Sequence, residues 1–167
     1  MRIMVLVIAT FLPAFVSAQS LCKSGESVLF NAKMGRLKGD SFVRNGKTLS
    51  LCGDKDKNPL KTLTYRYGSS EKVELEFSAP KDGRFSFDVS RNSPRGVDYS
   101  IEFQRGQFKY ELNACLGMTC DQYDTKLVVY QNAKQIAEIT ADLADKVDDF
   151  FGDIIEEDTP QKSPVFK

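Results

Sequence analysis

Apolar side chains recur at every second position over most of this chain, from Glu26 to Ile139, in short runs separated by Gly, Asn, Ser and Pro. That period is typical of β-strands that bury one face and expose the other. The connections between the runs are short, and short turns join antiparallel neighbours. We therefore expect a mostly β fold over residues 19–140, an antiparallel β-sandwich or barrel of about nine strands.

Three turns set the expected strand register. Asn45-Gly46 is the strongest short hairpin signal in the chain, because both central positions of a type I′ turn need a positive φ. Asn132-Ala133 is predicted to turn the last hairpin. A loop over residues 68–72 would set Arg66 opposite Glu74 on the outer face of the sheet.

Residues 1–18 are predicted to be a signal peptide and not part of the fold. A basic start is followed by an apolar stretch, Ile3 to Val16, and then by Ser17-Ala18, which completes a small-x-small cleavage pattern. The apolar stretch is shorter than the roughly 20 residues that span a bilayer. We expect an exported, soluble chain that starts at Gln19 and has no stable membrane anchor after cleavage.

After Thr140, a predicted helix N-cap, the apolar period changes from two to about 3.6 residues. We expect an acidic amphipathic helix over residues 141–158, packed on or beside the β domain, and a flexible tail over residues 159–167. The apolar face of the helix would carry Leu143, Val147, Phe150, Phe151, Ile154 and Ile155.

Four cysteines lie in the expected mature chain, at positions 22, 52, 115 and 120. In an oxidising compartment an even number predicts two disulfides, for which three connectivities exist. We favour Cys22–Cys52 together with Cys115–Cys120. A C-x4-C spacing without His is a poor zinc signature, so we expect no metal site and no cofactor.

Charge is balanced in total but not along the chain. The sequence has 23 basic and 23 acidic residues, and residues 135–159 hold nine of the acids with one base. A near-neutral chain argues against a nucleic-acid partner, because phosphate binding needs excess Lys and Arg. The acids of the predicted helix are either a solvated face or a docking strip for a cationic protein partner. The candidate partner-binding residues are Asp142, Asp145, Asp149, Asp153 and Glu156 on the helix, and Arg66 and Tyr67 on a strand.

We expect no catalytic residues. The chain has no His, and so lacks the commonest general base and every Ser-His or Cys-His nucleophile pair. Ser69-Ser70-Glu71-Lys72 matches the S-x-x-K motif of acyl-serine enzymes, but it lies in a predicted turn and not on a helix. A hydrolase that works through carboxylates stays as an alternative, and it would need a polar cleft with a carboxyl of strongly raised pKa.

Three short motifs resemble those of a known family. They are Gly46-Lys47-Thr48-Leu49-Ser50-Leu51-Cys52, Leu63-Thr64-Tyr65-Arg66-Tyr67-Gly68 and Val73-Glu74-Leu75-Glu76-Phe77. Their succession resembles a family of small exported proteobacterial proteins of unassigned activity, with the pattern GK-x-x-SLC, L-x-YR-[FY]-G and VEL-x-[FY], over residues 22–140. The resemblance implies a bacterial origin and a β-rich exported domain, and it supplies no catalytic residues.

These features predict a periplasmic or secreted protein-binding module without enzymatic activity. Its more specific form would be an inhibitor or immunity protein that acts on a cell-wall hydrolase or a toxin. Two alternatives of other classes stay open. One is an envelope structural or assembly protein that self-associates, and the other is a small-ligand carrier, which would need a dry interior cavity.

Overall fold

Nine β-strands make up the described part of the fold. The computed structural model describes residues 20–54, 60–93, 96–117, 120–142 and 165–166. The strands are β1 (Glu26–Lys38), β2 (Ser41–Asp54), β3 (Leu63–Gly68), β4 (Val73–Ala79), β5 (Ser86–Ser93), β6 (Gly96–Arg105), β7 (Phe108–Gly117), β8 (Lys126–Gln131) and β9 (Lys134–Asp142). The prediction of a mostly β fold with about nine strands is confirmed.

All nine strands belong to one antiparallel sheet in the order β4-β3-β2-β1-β9-β8-β7-β6-β5. Each strand pairs with the next strand in the chain, except that β4 does not pair with β5, where the sheet stays open. The pairing of β1 with β9 joins the two halves of the sheet. Because antiparallel neighbours alternate in direction, the first and ninth strands of this order, β4 and β5, run the same way. The predicted sandwich or barrel is therefore one open, nine-stranded sheet.

The inner face of the sheet carries the hydrophobic core. Phe77 of β4 stacks on Phe103 of β6 with ring centroids 4.3 Å apart, and Tyr65 of β3 lies 4.9 Å from the same ring. The sheet thus curves until strands from its two ends pack face to face. Aromatic rings fill much of this space, because each buries a large apolar area and packs well edge-on or offset.

The end of the chain also belongs to the core. Val165 and Phe166, which the sequence analysis placed in a flexible tail, are buried. The backbone N–H of Phe85 donates to the Val165 carbonyl at 3.0 Å, and Arg84 Nη1 donates to the Phe166 carbonyl at 3.1 Å. The Phe166 ring lies 5.8 Å from that of Phe87 on β5. The carboxyl-terminal residues therefore pack beside the start of β5.

The segment before β1 covers the outer face of β2 and β3. The Cys22–Cys52 disulfide joins it to β2 with the Cα atoms 5.5 Å apart, and the Leu21 N–H donates to Ser50 Oγ at 3.0 Å. The second disulfide joins Cys115 to Cys120. Both favoured pairings are confirmed, and two disulfides fit an oxidising compartment.

The Asn45-Gly46 hairpin prediction is wrong. The β1–β2 turn lies at Gly39 and Asp40, and Lys38 pairs with Ser41. Met34 pairs with Lys47 and Gly35 with Arg44, so Asn45 and Gly46 form a bulge inside β2. Asn45 and Gly46 therefore bend β2 locally without ending the hairpin. Beyond the bulge the two strands form further cross-strand pairs, such as Leu37 with Phe42.

Other expectations have mixed outcomes. Gln131 pairs with Lys134, so the predicted Asn132-Ala133 turn is confirmed. Thr140 caps no helix: it is a strand residue, and β9 runs through Ala141 to Asp142, the first two positions of the predicted helix. The remaining helix positions, 143–158, and the predicted signal peptide lie outside the described residues.

Candidate functional site

An acidic groove of about 580 Å³ lies over β5, β6 and β7. In the sheet, Asp88 of β5 lies opposite Ser100 of β6, which lies opposite Asn113 of β7. In the next row, Glu102 of β6 lies opposite Glu111 of β7. Opposed residues share a sheet face, so the alternation of each strand brings these polar side chains together. The acidic residues that line the groove are Asp88, Asp98, Glu102, Glu111 and Asp124.

The β6–β7 side of the groove is an ion-paired cluster. Like charges directly opposed across two strands repel, as Glu102 and Glu111 would. Lys109 Nζ lies 3.2 Å from Glu102 Oε2 and 2.8 Å from Glu111 Oε2, and thereby bridges them. Asn113 Nδ2 also donates to Glu111 at 2.9 Å. Burial acts to raise the pKa of Glu111, but the hydrogen bonds from Lys109 and Asn113 outweigh it and hold that pKa below its ordinary value.

The β5–β6 side presents two carboxylates without a cation. Asp88 and Asp98 form no hydrogen bond or ion pair with any residue that the structure describes. They are diagonal neighbours on one sheet face, because Asp98 lies two residues before Ser100, the partner of Asp88. Such neighbours have Cα atoms about 7–8 Å apart. Both charges are therefore available to a cationic group from outside.

A groove lined by these carboxylates can bind cationic groups. Carboxylates accept hydrogen bonds from Lys and Arg, and charge-assisted hydrogen bonds are about twice as strong as neutral ones. The lowered pKa of Glu111 is the opposite of the raised pKa that a carboxyl general acid needs. Among the described residues, one group places three potential metal ligands together, namely Cys22, Glu26 and Cys52. Its sulfurs are bonded to each other, so it offers no thiolate.

Arg66, a predicted partner-binding residue, is engaged inside the protein. Its side chain is 2% exposed under the segment before β1. Its Nη1 and Nη2 atoms donate to Glu26 at 2.5 and 2.9 Å, and its Nε donates to Glu76 at 2.8 Å. The hydrogen bond from Arg66 is the main reason that the pKa of each carboxyl, Glu26 and Glu76, is lowered. The register pairs Arg66 with Glu76 and not with the expected Glu74.

Two further predicted residues also have internal partners. The half-buried Tyr67 accepts a hydrogen bond from Asn45 Nδ2 at 3.4 Å, and burial raises the pKa of its hydroxyl. Asp142 is buried and accepts from Arg44 at 3.2 Å and from Gln122 at 2.7 Å. The remaining predicted residues, Asp145, Asp149, Asp153 and Glu156, lie outside the described residues.

The groove carboxylates were missed by sequence reasoning. The four on strands alternate with aromatic or aliphatic neighbours, for example Asp88 between Phe87 and Val89, and this pattern indicated only a solvated face. A signal was present in the polar positions of three successive strands, which hold Asp, Ser, Glu and Asn. These positions could be recognised as one groove only from the strand register, which places the three strands side by side.

Comparisons with other proteins identify no relative. No family model, no curated protein and no solved structure matches this chain. The resemblance to the exported proteobacterial family therefore stays a prediction. We also found no helix long and apolar enough to span a membrane in the part of the chain that the structure describes.

Proposed function

We propose that this protein is an exported, non-enzymatic module that binds a protein with a cationic surface through the acidic groove. The observation that carries the proposal is the pair of carboxylates, Asp88 and Asp98, which lie on one face of the sheet and have no cationic partner among the described residues. An inhibitor or immunity protein that acts on a periplasmic cell-wall hydrolase or toxin is the specific form we favour. The two disulfides support an exported location.

Electrostatics gives the physical basis of this recognition. Several carboxylates on one surface raise the local concentration of a cationic partner and speed its association, an effect that salt screens. Lys or Arg side chains of the partner would donate to Asp88 and Asp98. Lys109 already pairs with Glu102 and Glu111 and compensates one of their two charges, so those two residues mainly shape the groove wall.

The alternative functions have weaker support in the described residues. Aromatic rings occupy the inner face, with stacking distances such as 4.9 Å between Phe103 and Tyr110, which favours a packed interior over a ligand cavity. A carboxylate-based hydrolase finds no support in Glu111, whose pKa is lowered. Self-association has support of its own and is taken up in the next subsection.

Inhibition of purified cell-wall hydrolases tests the proposal. A panel of cationic enzymes, comprising a lysozyme, an amidase and an endopeptidase, is assayed on peptidoglycan with increasing amounts of the protein. We expect inhibition of at least one enzyme, and the double variant Asp88→Asn/Asp98→Asn should weaken binding by about tenfold or more. Binding is measured by calorimetry, at low and at high salt.

A matched control removes the same amount of charge elsewhere. Glu71 is exposed, and Asp82 accepts the Ser78 N–H at 2.8 Å, a bond that an Asn oxygen can still accept. The Glu71→Gln/Asp82→Asn variant should inhibit as the wild type does. Equal binding by both variants, or no inhibition of any enzyme in the panel, would overturn the proposal.

A further inference from the structure

The β1–β2 hairpin extends beyond the strands on either side of it. On one side β9 pairs only with residues 33–35 of β1, and on the other side β3 pairs only with residues 48–53 of β2. Residues 36–46, here called the ribbon, therefore pair only with each other or with Gly35 and have no further strand beside them in the part of the chain that the structure describes. The ribbon exposes Leu37 and Val43 by 44% and 41%.

The two faces of the ribbon differ. Phe42 stacks on Tyr123 at 5.2 Å, so the face that carries Phe42 packs against the loop before β8. Arg36 and Lys38 lie on the opposite face, since side chains alternate and Leu37 pairs with Phe42. Both cations are exposed and make no hydrogen bond or ion pair with the described residues. The second face is thus cationic and has no partner among the described residues.

We infer that the acidic groove takes the cationic face of the ribbon of a second copy of this chain. The inference rests on the proposed function, because it names a partner for the same groove. Arg36 and Lys38 of one copy would pair with Asp88 and Asp98 of the other, and Val43, directly opposite Arg36 in the hairpin, would lie beside Arg36 on the docked face.

The spacing of the two pairs is complementary. Residues two apart in a strand are separated by about 6.6–6.8 Å, which applies to Arg36 and Lys38. Diagonal neighbours such as Asp88 and Asp98 are about 7–8 Å apart at Cα. Two parallel salt bridges can therefore form at once, and long Arg and Lys side chains absorb the small difference.

The pairing forms between copies because the fold prevents it within one chain. Tyr123, which holds the ribbon, is next to Asp124 at the rim of the groove. The ribbon therefore turns Phe42 toward the groove side of the molecule and turns Arg36 and Lys38 away from it. The ribbon of a second copy, in contrast, can turn its cationic face toward the groove.

Charge reversal tests this inference on the full mature chain. We expect the wild type to self-associate in sedimentation velocity at about 0.05 M salt and to dissociate at about 0.5 M, because salt screens exposed pairs. The ribbon variant Arg36→Glu/Lys38→Glu and the groove variant Asp88→Lys/Asp98→Lys should each be about tenfold weaker in self-association. A mixture of the two variants should associate again. The acidic ribbon of the first variant can then bind the basic groove of the second.

Controls separate folding from binding. Lys61→Glu/Lys81→Glu makes the same charge change on exposed residues outside both surfaces and should leave self-association unchanged. Far-ultraviolet circular dichroism and thermal unfolding confirm that each variant is folded. A wild type that stays monomeric at all concentrations, or a mixture of folded variants that stays monomeric, would overturn the inference.

The same variants distinguish this inference from the proposed function. The ribbon variant keeps an intact groove, so it should still inhibit the cationic hydrolase. If hydrolase binding depends on Asp88 and Asp98 but no self-association occurs, the proposed function stands and the inference fails. If the groove variants alter neither process, both fail.

Discussion

Replacing Glu26 by Gln should destabilise the protein through Arg66, the buried cation beneath the segment that precedes β1. Arg66 is 2% exposed and relies on two carboxylates, Glu26 with two hydrogen bonds and Glu76 with one. The amide of Gln keeps one acceptor oxygen but removes the negative charge. Arg66 would then be a buried cation with only one carboxylate.

The size of the effect follows from burial and from the number of bonds lost. Breaking a buried ion pair from one side costs about 3–5 kcal/mol. Because Glu76 still pairs with Arg66, we expect Glu26→Gln to lower the free energy of unfolding by about 2 kcal/mol. Glu76 is 38% exposed, so solvent screening reduces the cost of Glu76→Gln to about 1 kcal/mol. The double variant should lose about 4 kcal/mol, more than the sum, because Arg66 is then uncompensated.

Removing the cation as well should restore stability. Adding Arg66→Met to the double variant leaves an apolar side chain of similar length and no buried charge, and such replacements of whole ion pairs are often neutral. We expect about half of the lost stability to return, measured by urea unfolding at neutral pH. A double variant as stable as the wild type, or a triple variant less stable than the double, would refute the reasoning.

Acid should destabilise the wild type in the same way, because protonation removes the charges of Glu26 and Glu76. Arg66 lowers the pKa of Glu26 and Glu76 in the folded state, so folding favours their charged forms. Their contribution is fully present above the unfolded pKa and is lost as pH falls below about 4.5 through the folded values. The wild type should therefore lose more stability than Glu26→Gln/Glu76→Gln between about pH 6 and pH 3. Parallel pH profiles would contradict this.

Three other changes are testable by denaturant unfolding. Phe166→Ala should cost about 3 kcal/mol if the buried ring is core, and an unchanged free energy would show that it is not. Removing Cys22–Cys52 by paired Ser substitutions should cost about 3.6 kcal/mol against about 2.1 for Cys115–Cys120, since they close 30- and 5-residue separations, and the reverse order would contradict the loop-entropy argument. Ala133→Gly should stabilise by about 0.5–1 kcal/mol, because Ala133 has a φ of 64°, and a loss would count against strain at this turn.

The behaviour of Arg66 shows how far alternation can predict a sheet. Alternation correctly set it on the outer face opposite a Glu, but the partner is Glu76 and not Glu74. A shift of two residues keeps every side chain on its face, so the apolar pattern cannot tell the two registers apart. The geometry of the β3–β4 loop decides between the two registers. Here the N–H of Ser69 donates to the Lys72 carbonyl at 2.9 Å, in a tighter turn than expected.

The candidate site depended still more on tertiary contacts. The expected docking residues Arg66 and Asp142 are polar in the sequence, yet each is buried with partners distant in the chain. Asp88 and Asp98 look no different in the sequence, yet neither has a hydrogen-bond or ion-pair partner among the described residues. Whether a charged side chain is free depends on which segment covers it, and a local pattern carries no information about that.

The sequence by itself determined the class of elements, the alternation of faces, the even number of cysteines that predicts two disulfides, and the lack of histidine chemistry. These properties follow from residue type and short-range spacing. Tertiary structure alone decided that Asn45-Gly46 is a bulge, that Val165 and Phe166 enter the core, and that acids of three strands form one groove. Each of these outcomes is a competition between local preference and contacts made by residues far apart, and the packed fold settles it.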